Sequence, residues 1–179
     1  MKGDKTPSKI GQRLWSRDAS LWTGEADEQT AIENRLGWLD APVWFRSKIN
    51  ELVSWADEVR AAGFDRAVVL GMGGSSLAAE VMARIFGRGP GGLALTVLDN
   101  THPDAVRAVL QSGHLESTLF LVASKSGTTL EANVFLVTFP EALRQKVGAE
   151  AGNHFVVITD ADTPLARLAA DEGFRHCFI

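Results

Sequence analysis

The stretch Leu119-Phe-Leu-Val-Ala-Ser-Lys-Ser-Gly-Thr-Thr-Leu-Glu131 decides the fold predicted for this chain. Its apolar first half is typical of a buried β-strand, and the loop that follows, 124–129, combines serines and threonines with one lysine and one glycine. A helical pattern begins directly after the loop. Such a loop directs hydroxyls, backbone N–H groups and the positive end of a helix dipole to one point. The stretch therefore predicts a strand–loop–helix unit that binds an anion, with Lys125 supplying a positive charge.

A second loop, Gly71-Met-Gly-Gly-Ser-Ser76, has the same position after an earlier apolar run. Its glycines permit a tight turn, and at Gly73 and Gly74 they permit close approach of the backbone to a ligand. Ser75 is expected to present its hydroxyl at the start of the next helix. No other part of the chain is so rich in groups that bind phosphate.

From Arg66 onward, short apolar runs alternate with helical patterns, which is typical of an α/β fold with a parallel sheet. We expect a three-layer, doubly wound sheet of five parallel strands with helices on both faces. Pro140 is expected to end the third helix of this region or to begin a new turn. The predicted strands are 66–70, 93–98, 118–123, 154–158 and 175–179, and the predicted helices are 75–86, 103–110, 128–139 and 164–171.

The strand order decides whether the two loops meet. In an open parallel sheet, ligands bind at the carboxyl ends of the strands, where the strand order reverses. In the flavodoxin-like order 2-1-3-4-5, that point lies between the first and third strands, which are the strands that precede the two loops. This order therefore predicts one site built from both loops.

Phosphate is the ligand that these loops favour, although two other interpretations are open. Serines and threonines are good helix caps, but capping needs one hydroxyl per helix and the loops contain more. The pattern Gly71-x-Gly73, with Asp99 after the second strand, resembles a dinucleotide site, although Ser76 replaces the third glycine or alanine. The predicted phosphate ligands are Ser75, Ser124, Lys125, Ser126, Thr128 and Thr129, with Gly73 and Gly74 beside the ligand.

The composition restricts the class of protein. The chain has 179 residues, of which 45% are hydrophobic and 22% charged, so it has material for a core of ordinary size. The net charge of −4 argues against a nucleic-acid partner. Cys177 is the only cysteine, which excludes an internal disulfide and favours a cytoplasmic location. We expect no membrane segment, because no apolar run approaches the roughly 20 residues of a membrane helix.

The chain is expected to contain three regions. Residues 1–12 are polar and form a flexible lead-in; residues 13–62 form a helical extension that contains all five tryptophans; residues 63–179 form the α/β domain. The extension is interpreted either as an amphipathic cover for the domain or as a binding face for a partner chain. Because a predicted strand ends on Ile179, we expect the domain to be truncated there.

Within the extension, two helices are predicted. Asp27 or Thr30 is expected to cap a helix that runs to about Leu39. A second helix is expected to begin near Pro42 and to end near Gly63.

The two loops resemble those of the glucose-6-phosphate isomerase family. The segments that carry the resemblance are Val68-Val-Leu-Gly-Met-Gly-Gly-Ser-Ser-Leu77 and Val122-Ala-Ser-Lys-Ser-Gly-Thr-Thr-Leu-Glu131, which are also similar to sugar isomerase (SIS) domains. Gly127 is a departure, since most isomerases of the family carry an aromatic residue there. The segment Arg13-Leu-Trp-Ser-Arg-Asp-Ala-Ser-Leu-Trp22 looks like the join in bacterial transaldolase/glucose-6-phosphate isomerase fusions.

The resemblance implies a ligand and a reaction. It implies an SIS domain that binds the phosphate of glucose 6-phosphate or fructose 6-phosphate, with Gly73 and Gly74 approaching the sugar. The family interconverts aldose and ketose through an enediol by general acid–base chemistry, and it needs no metal or other cofactor. The residues it assigns to phosphate binding are Ser75, Ser124, Ser126 and Thr129, with Lys125 and Thr128 adjoining.

No catalytic residue is assigned in this chain. The resemblance places the glutamate base in a second SIS domain, and the ring-opening histidine and lysine further along as well. Glu131 is expected to support the phosphate loop, and the four histidines are expected to be structural. The chain is therefore expected to require a second SIS domain or a homodimer partner for activity. A non-enzymatic sensor of phosphosugars is the alternative function.

Overall fold

The computed structural model of the chain describes residues 7–179, and these divide into two compact units between residues 56 and 57. The described part of the first unit is helical, and the second unit contains the sheet. None of the helices in the described part combines the length and apolar character needed to cross a membrane. The helices of the first unit are α1 (Pro7–Trp15), α2 (Ala26–Glu33) and α3 (Ala41–Ala61, which extends into the second unit), with 3-10 turns at Ala19–Leu21 and Gly37–Asp40.

The helical region begins earlier than the predicted boundary between residues 12 and 13. Helix α1 occupies the second half of the predicted lead-in, and the first half lies outside the described residues. Helix α3 agrees closely with the helix predicted from Pro42. Trp15, Trp22, Trp38 and Trp44 are exposed.

The prediction for the first long helix is wrong at both ends. No side chain caps α2, and both Asp27 and Thr30 lie inside the helix. The helix ends before Gly37, a residue type that disfavours helix interiors because of its backbone freedom. The chain up to Leu39 then continues in a separate 3-10 turn.

An ion pair and a side-chain cap stabilise the turn after α1. The Arg13 side chain donates to the Asp18 carboxylate at 2.5 Å, and Asp18 accepts the backbone N–H of Ser20 at 3.1 Å. Because the Arg13 guanidinium and the Ser20 hydroxyl bond to the charged form, the pKa of Asp18 is lowered to about 2. Residues 13–22 thus comprise the end of α1, this turn and the 3-10 turn Ala19–Leu21.

The second unit is an all-parallel, five-stranded sheet with the order β2-β1-β3-β4-β5, as predicted. Every predicted strand is present to within one residue at either end. The strands are β1 (Arg66–Gly71), β2 (Ala94–Leu98), β3 (Thr118–Ala123), β4 (Phe155–Ile158) and β5 (His176–Phe178), and the helices are α4 (Gly74–Phe86), α5 (Pro103–Leu110), α6 (Leu130–Val147) and α7 (Pro164–Asp171).

Stacked aromatic side chains form the centre of the core. Phe120 of β3 lies between Phe139 of α6 and Phe155 of β4, with ring centroids 4.9 and 5.2 Å apart, and Phe155 stacks in turn on Phe174. The rings of Phe120, Phe139 and Phe155 are fully buried. This packing holds α6, and therefore the loop that precedes it, against the central strands.

The prediction that Pro140 ends the helix is wrong, since α6 continues through it to Val147. A proline inside a helix removes the hydrogen bond that its N–H would donate to the carbonyl four residues earlier, here Leu136. Phe139 and Leu143, on either side of Pro140, are fully buried. Burial of this face outweighs the lost hydrogen bond, because each large apolar side chain contributes about 1.5–3 kcal/mol on burial.

Candidate functional site

The sheet register brings the two predicted loops together. Gly71 at the end of β1 pairs with Ala123 at the end of β3, so both loops leave the same edge of the sheet from neighbouring strands. The strands approach closely here, because a Cβ atom at Gly71 would lie 3.1 Å from the Ala123 carbonyl oxygen. The strand order on which the prediction of one site rests is thus confirmed, and the site itself stays a prediction.

The first loop leads into α4 without a side-chain cap. Gly73 occupies the N-cap position with φ +53°, which favours glycine, and no side chain bonds to the first turn of the helix. Within residues 7–179, the N–H groups of Gly73 and Gly74 have no acceptor. The Cβ atom of Ser75 would lie 3.3 Å from a Cβ atom placed on Gly71, so the Ser75 side chain starts beside the end of β1.

The second loop also leads into a helix without a side-chain cap. Thr129 is the N-cap residue of α6, but its hydroxyl does not bond to the first turn. That hydroxyl instead lies 2.9 Å from the hydroxyl of Ser124, which is 2% exposed. Helix capping alone therefore does not explain the hydroxyls of either loop, and the first-turn N–H groups of α6 remain available to a ligand.

The hydroxyls of the second loop form two pairs. Ser124 pairs with Thr129, and Ser126 pairs with Thr128, each at 2.9 Å; Ser126 Oγ also accepts the Thr128 N–H at 3.3 Å. A hydroxyl donates one hydrogen bond, so a pair uses one of its two protons internally and keeps the other. Each pair thus retains one O–H donor for an anion.

Lys125 supplies the positive charge of the loop. Its side chain is exposed, and it forms no ion pair with any other residue between 7 and 179. Glu131, in the first turn of α6, makes no hydrogen bond to the loop within the same part of the chain. Lys125 and the free backbone N–H groups at the start of α6 are thus the two features of this loop that favour an anion.

A third loop, whose residues are not among the predicted ligands, supports the second. The β4–α7 connection contains Thr159 and Thr163, both buried, and the Thr159 hydroxyl donates to the Lys125 carbonyl at 3.3 Å. Gly127 packs against the same connection, because a Cβ atom there would lie 2.9 Å from the Cβ atoms of Thr163 and Leu165. The sequence feature that could have identified this loop is Thr163-Pro164, which is a typical helix start after a strand.

The geometry does not favour the dinucleotide interpretation. Ser76, at the position of the third glycine of that motif, is buried and donates to the Gly73 carbonyl at 3.3 Å. Asp99 is exposed after β2, and the turn that follows is closed by Asn100, whose side chain accepts the His102 N–H at 3.1 Å. The hydroxyl pairs of the second loop have no role in the dinucleotide motif.

Three of the histidines have structural contacts. His154 is buried, with Nδ1 3.1 Å from the Thr118 carbonyl oxygen and its ring edge-on to Phe64. His102 accepts the N–H of Asp104 at the start of α5, and His176 packs on Phe178. Among residues 7–179, no three His, Cys, Asp or Glu side chains cluster as a metal site requires.

The shifted pKa values of Cys177 and Glu116 belong to groups outside the two loops. Burial raises the pKa of the Cys177 thiol in β5. A hydrogen bond from Lys146 lowers the pKa of Glu116, with an N–O distance of 3.0 Å.

Residues 49–178 match the family model described as phosphoglucose isomerase. Among curated relatives, glucose-6-phosphate isomerase of Chlamydia muridarum is 31% identical over 154 residues, which are 86% of this chain and 26% of that protein. Glucose-6-phosphate isomerase of Thermus thermophilus is 28% identical over 146 residues, 78% of this chain and 33% of that protein. The chain thus spans about a quarter to a third of the length of these relatives.

Two solved structures have the same fold. The crystal structure of a hypothetical protein, TT0462, from Thermus thermophilus has a TM-score of 0.71 and 28% identity, covering 96% of this chain and 40% of that one. A glucose-6-phosphate isomerase from Chlamydia trachomatis has a TM-score of 0.63 and 27% identity, covering 92% of this chain and 30% of that one.

Proposed function

Because the chain belongs to the phosphoglucose isomerase family, we propose that it is the sugar-phosphate-binding part of a glucose-6-phosphate isomerase. One observation carries this proposal. Two loops rich in free N–H and O–H donors leave adjacent strands, β1 and β3, at the point where the strand order reverses. That position is the general ligand site of open α/β sheets.

The second loop is proposed to hold the phosphate. The anion accepts hydrogen bonds from the spare hydroxyl protons of the two pairs, Ser124–Thr129 and Ser126–Thr128. The first-turn N–H groups of α6 and the charge of Lys125 complete the site. Ser75, Gly73 and Gly74 of the first loop are proposed to face the sugar from the neighbouring strand.

The reaction proposed for the complete enzyme is the interconversion of glucose 6-phosphate and fructose 6-phosphate. A base moves a proton between C1 and C2 through an enediol, and nearby donors stabilise the developing negative charge. The part of the site described here anchors the substrate by its phosphate, and this binding energy positions the carbons for proton transfer. The base and the ring-opening groups are proposed to come from a second SIS domain or a partner subunit. A cytoplasmic location and a transaldolase-fusion context stay predictions from the sequence.

The proposal is tested by titration calorimetry of the chain with glucose 6-phosphate, 6-phosphogluconate, inorganic phosphate and NAD. We expect the three phosphate ligands to bind and NAD not to bind. Ser124→Ala and Thr129→Ala should each weaken binding about tenfold or more, because a hydrogen bond to a charged group contributes about 1.5–3 kcal/mol. Ser117→Ala is the matched control, since the Ser117 hydroxyl bonds to the His114 carbonyl at the opposite end of β3.

The outcomes separate the candidate functions. Weak phosphosugar binding that depends on Ser124 and Thr129 supports a partial active site. Submicromolar binding would favour a self-contained phosphosugar sensor. Binding of NAD without the phosphosugars would refute the isomerase assignment of the site and restore the dinucleotide interpretation.

A further inference from the structure

We propose that Thr159 and Thr163 are positioning residues for the phosphate loop. They hold the peptide between Lys125 and Ser126 so that the Ser126 N–H faces the bound phosphate. This inference rests on the proposed function and deepens it, because it assigns a role in that site to a loop that contributes no group of its own to the ligand.

The two threonines form a directed chain of hydrogen bonds. Thr163 Oγ1 accepts the Ala166 N–H of α7 at 3.1 Å and lies 2.9 Å from Thr159 Oγ1, which donates to the Lys125 carbonyl at 3.3 Å. Since Thr159 has one proton and gives it to that carbonyl, the proton between the two hydroxyls belongs to Thr163. The chain therefore runs from the α7 backbone to the phosphate loop, and each bond polarises the next.

Both side chains are buried, at 5% exposed for Thr159 and 8% for Thr163. Burial makes an unpaired hydroxyl costly, so the chain of bonds has one satisfied arrangement. A second donor converges on the same acceptor, because the backbone N–H of Asp160 bonds to the Lys125 carbonyl at 3.1 Å. The Lys125 carbonyl is thus fixed by two donors from one loop.

Fixing this carbonyl also fixes the N–H of the next residue. In a trans peptide the C=O group and the following N–H point in opposite directions, and the unit is planar. The Ser126 N–H therefore points away from the β4–α7 loop, and it has no acceptor within residues 7–179. We infer that phosphate is that acceptor. Since Thr159 has no remaining proton and is buried, it acts through this peptide instead of touching the ligand.

The test compares the removal of a hydroxyl group at two buried threonines, Thr159 after β4 and Thr118 at the start of β3. Thr159→Val should weaken binding of inorganic phosphate and of glucose 6-phosphate about fivefold, and Thr159→Ser should restore binding to within twofold of wild type. Thr118→Val is the matched control. Thr118 is 2% exposed and donates to the His114 carbonyl at 2.6 Å, at the opposite end of β3. The Thr118→Val variant should have a lower free energy of unfolding but the wild-type affinity for both phosphate ligands.

A spectroscopic readout separates positioning from stability. In ¹⁵N-labelled wild-type chain, the Ser126 amide resonance should shift on addition of inorganic phosphate, and Thr159→Val should reduce that shift while Thr118→Val leaves it intact. A Ser126 amide that does not respond to phosphate in the wild type, while other loop amides do, overturns the inference without any variant.

The remaining outcomes are equally decisive. If Thr159→Val binds phosphate with wild-type affinity while Ser124→Ala binds it more weakly, the inference is overturned but the proposed function is not. Equal losses in Thr159→Val and Thr118→Val show a purely structural effect and overturn it as well. A wild-type chain that binds no phosphate ligand overturns the proposed function and this inference together.

Discussion

Gly127 shows why a single residue in the loop 124–129 cannot be exchanged freely. Its φ is +65°, a conformation that L side chains rarely adopt, and the space beside it is filled by Thr163 and Leu165. The aromatic residue that the family resemblance leads one to expect here does not fit this backbone. The loop therefore depends on a glycine both for its conformation and for its contact with the β4–α7 connection.

The two requirements at Gly127 can be separated by a pair of substitutions. Gly113 has a similar φ of +75°, but no atom lies within 4 Å of a Cβ placed there. Gly113→Ala should cost about 1–2 kcal/mol of unfolding free energy from backbone strain alone. Gly127→Ala should cost clearly more, about 3 kcal/mol or above, since overlap with two side chains adds to the strain.

Denaturant unfolding of both variants measures the difference. If Gly127→Ala is no less stable than Gly113→Ala, the close packing against the β4–α7 connection does not constrain the loop. Phosphate titration of the same samples should show weaker binding for Gly127→Ala only.

Among the elements, the strands were predicted well and the ends of the helices less well. Strands β1, β3 and β4 are short apolar runs between polar turns, a local pattern that needs no tertiary information. Helix α6 passes through Pro140 because its buried aromatic face is packed against the sheet, and that packing is not visible in local sequence. Likewise, α2 ends before Gly37, although the helix predicted from the sequence continues to about Leu39.

Helix α6 offers a direct comparison of its two faces. Phe139 is fully buried and stacks on Phe120, whereas Val137 is 76% exposed. Phe139→Ala should lower the free energy of unfolding by about 3–5 kcal/mol, because it removes a large core side chain and leaves a cavity. Val137→Ala on the same helix should change it by about 0.5 kcal/mol or less.

Chemical denaturation of the two variants and the wild type provides the measurement. Similar midpoints for Phe139→Ala and the wild type would mean that the aromatic stack does not hold α6 on the sheet. The loop 124–129, which precedes α6, would then need another source of rigidity.

At the scale of the whole molecule, the two predicted loops leave neighbouring strands because of the strand order. The hydroxyls of Ser124 and Thr129 were recognisable as candidates, since they lie in one short segment. The contribution of Thr159 was not, because it reaches the Lys125 carbonyl from a loop more than 30 positions away. Contacts of this kind depend on how the strands are ordered and registered, and composition or periodicity does not reveal them.

The pure chain should not isomerise glucose 6-phosphate, because it spans only about a quarter to a third of its relatives and the base is proposed to come from outside it. A coupled assay for fructose 6-phosphate measures this, with a full-length glucose-6-phosphate isomerase as the positive control. Phosphosugar binding by the same preparation shows that the chain is folded. Turnover that rises in proportion to chain concentration, and that is lost in Ser124→Ala, would show instead that this chain contains a complete active site.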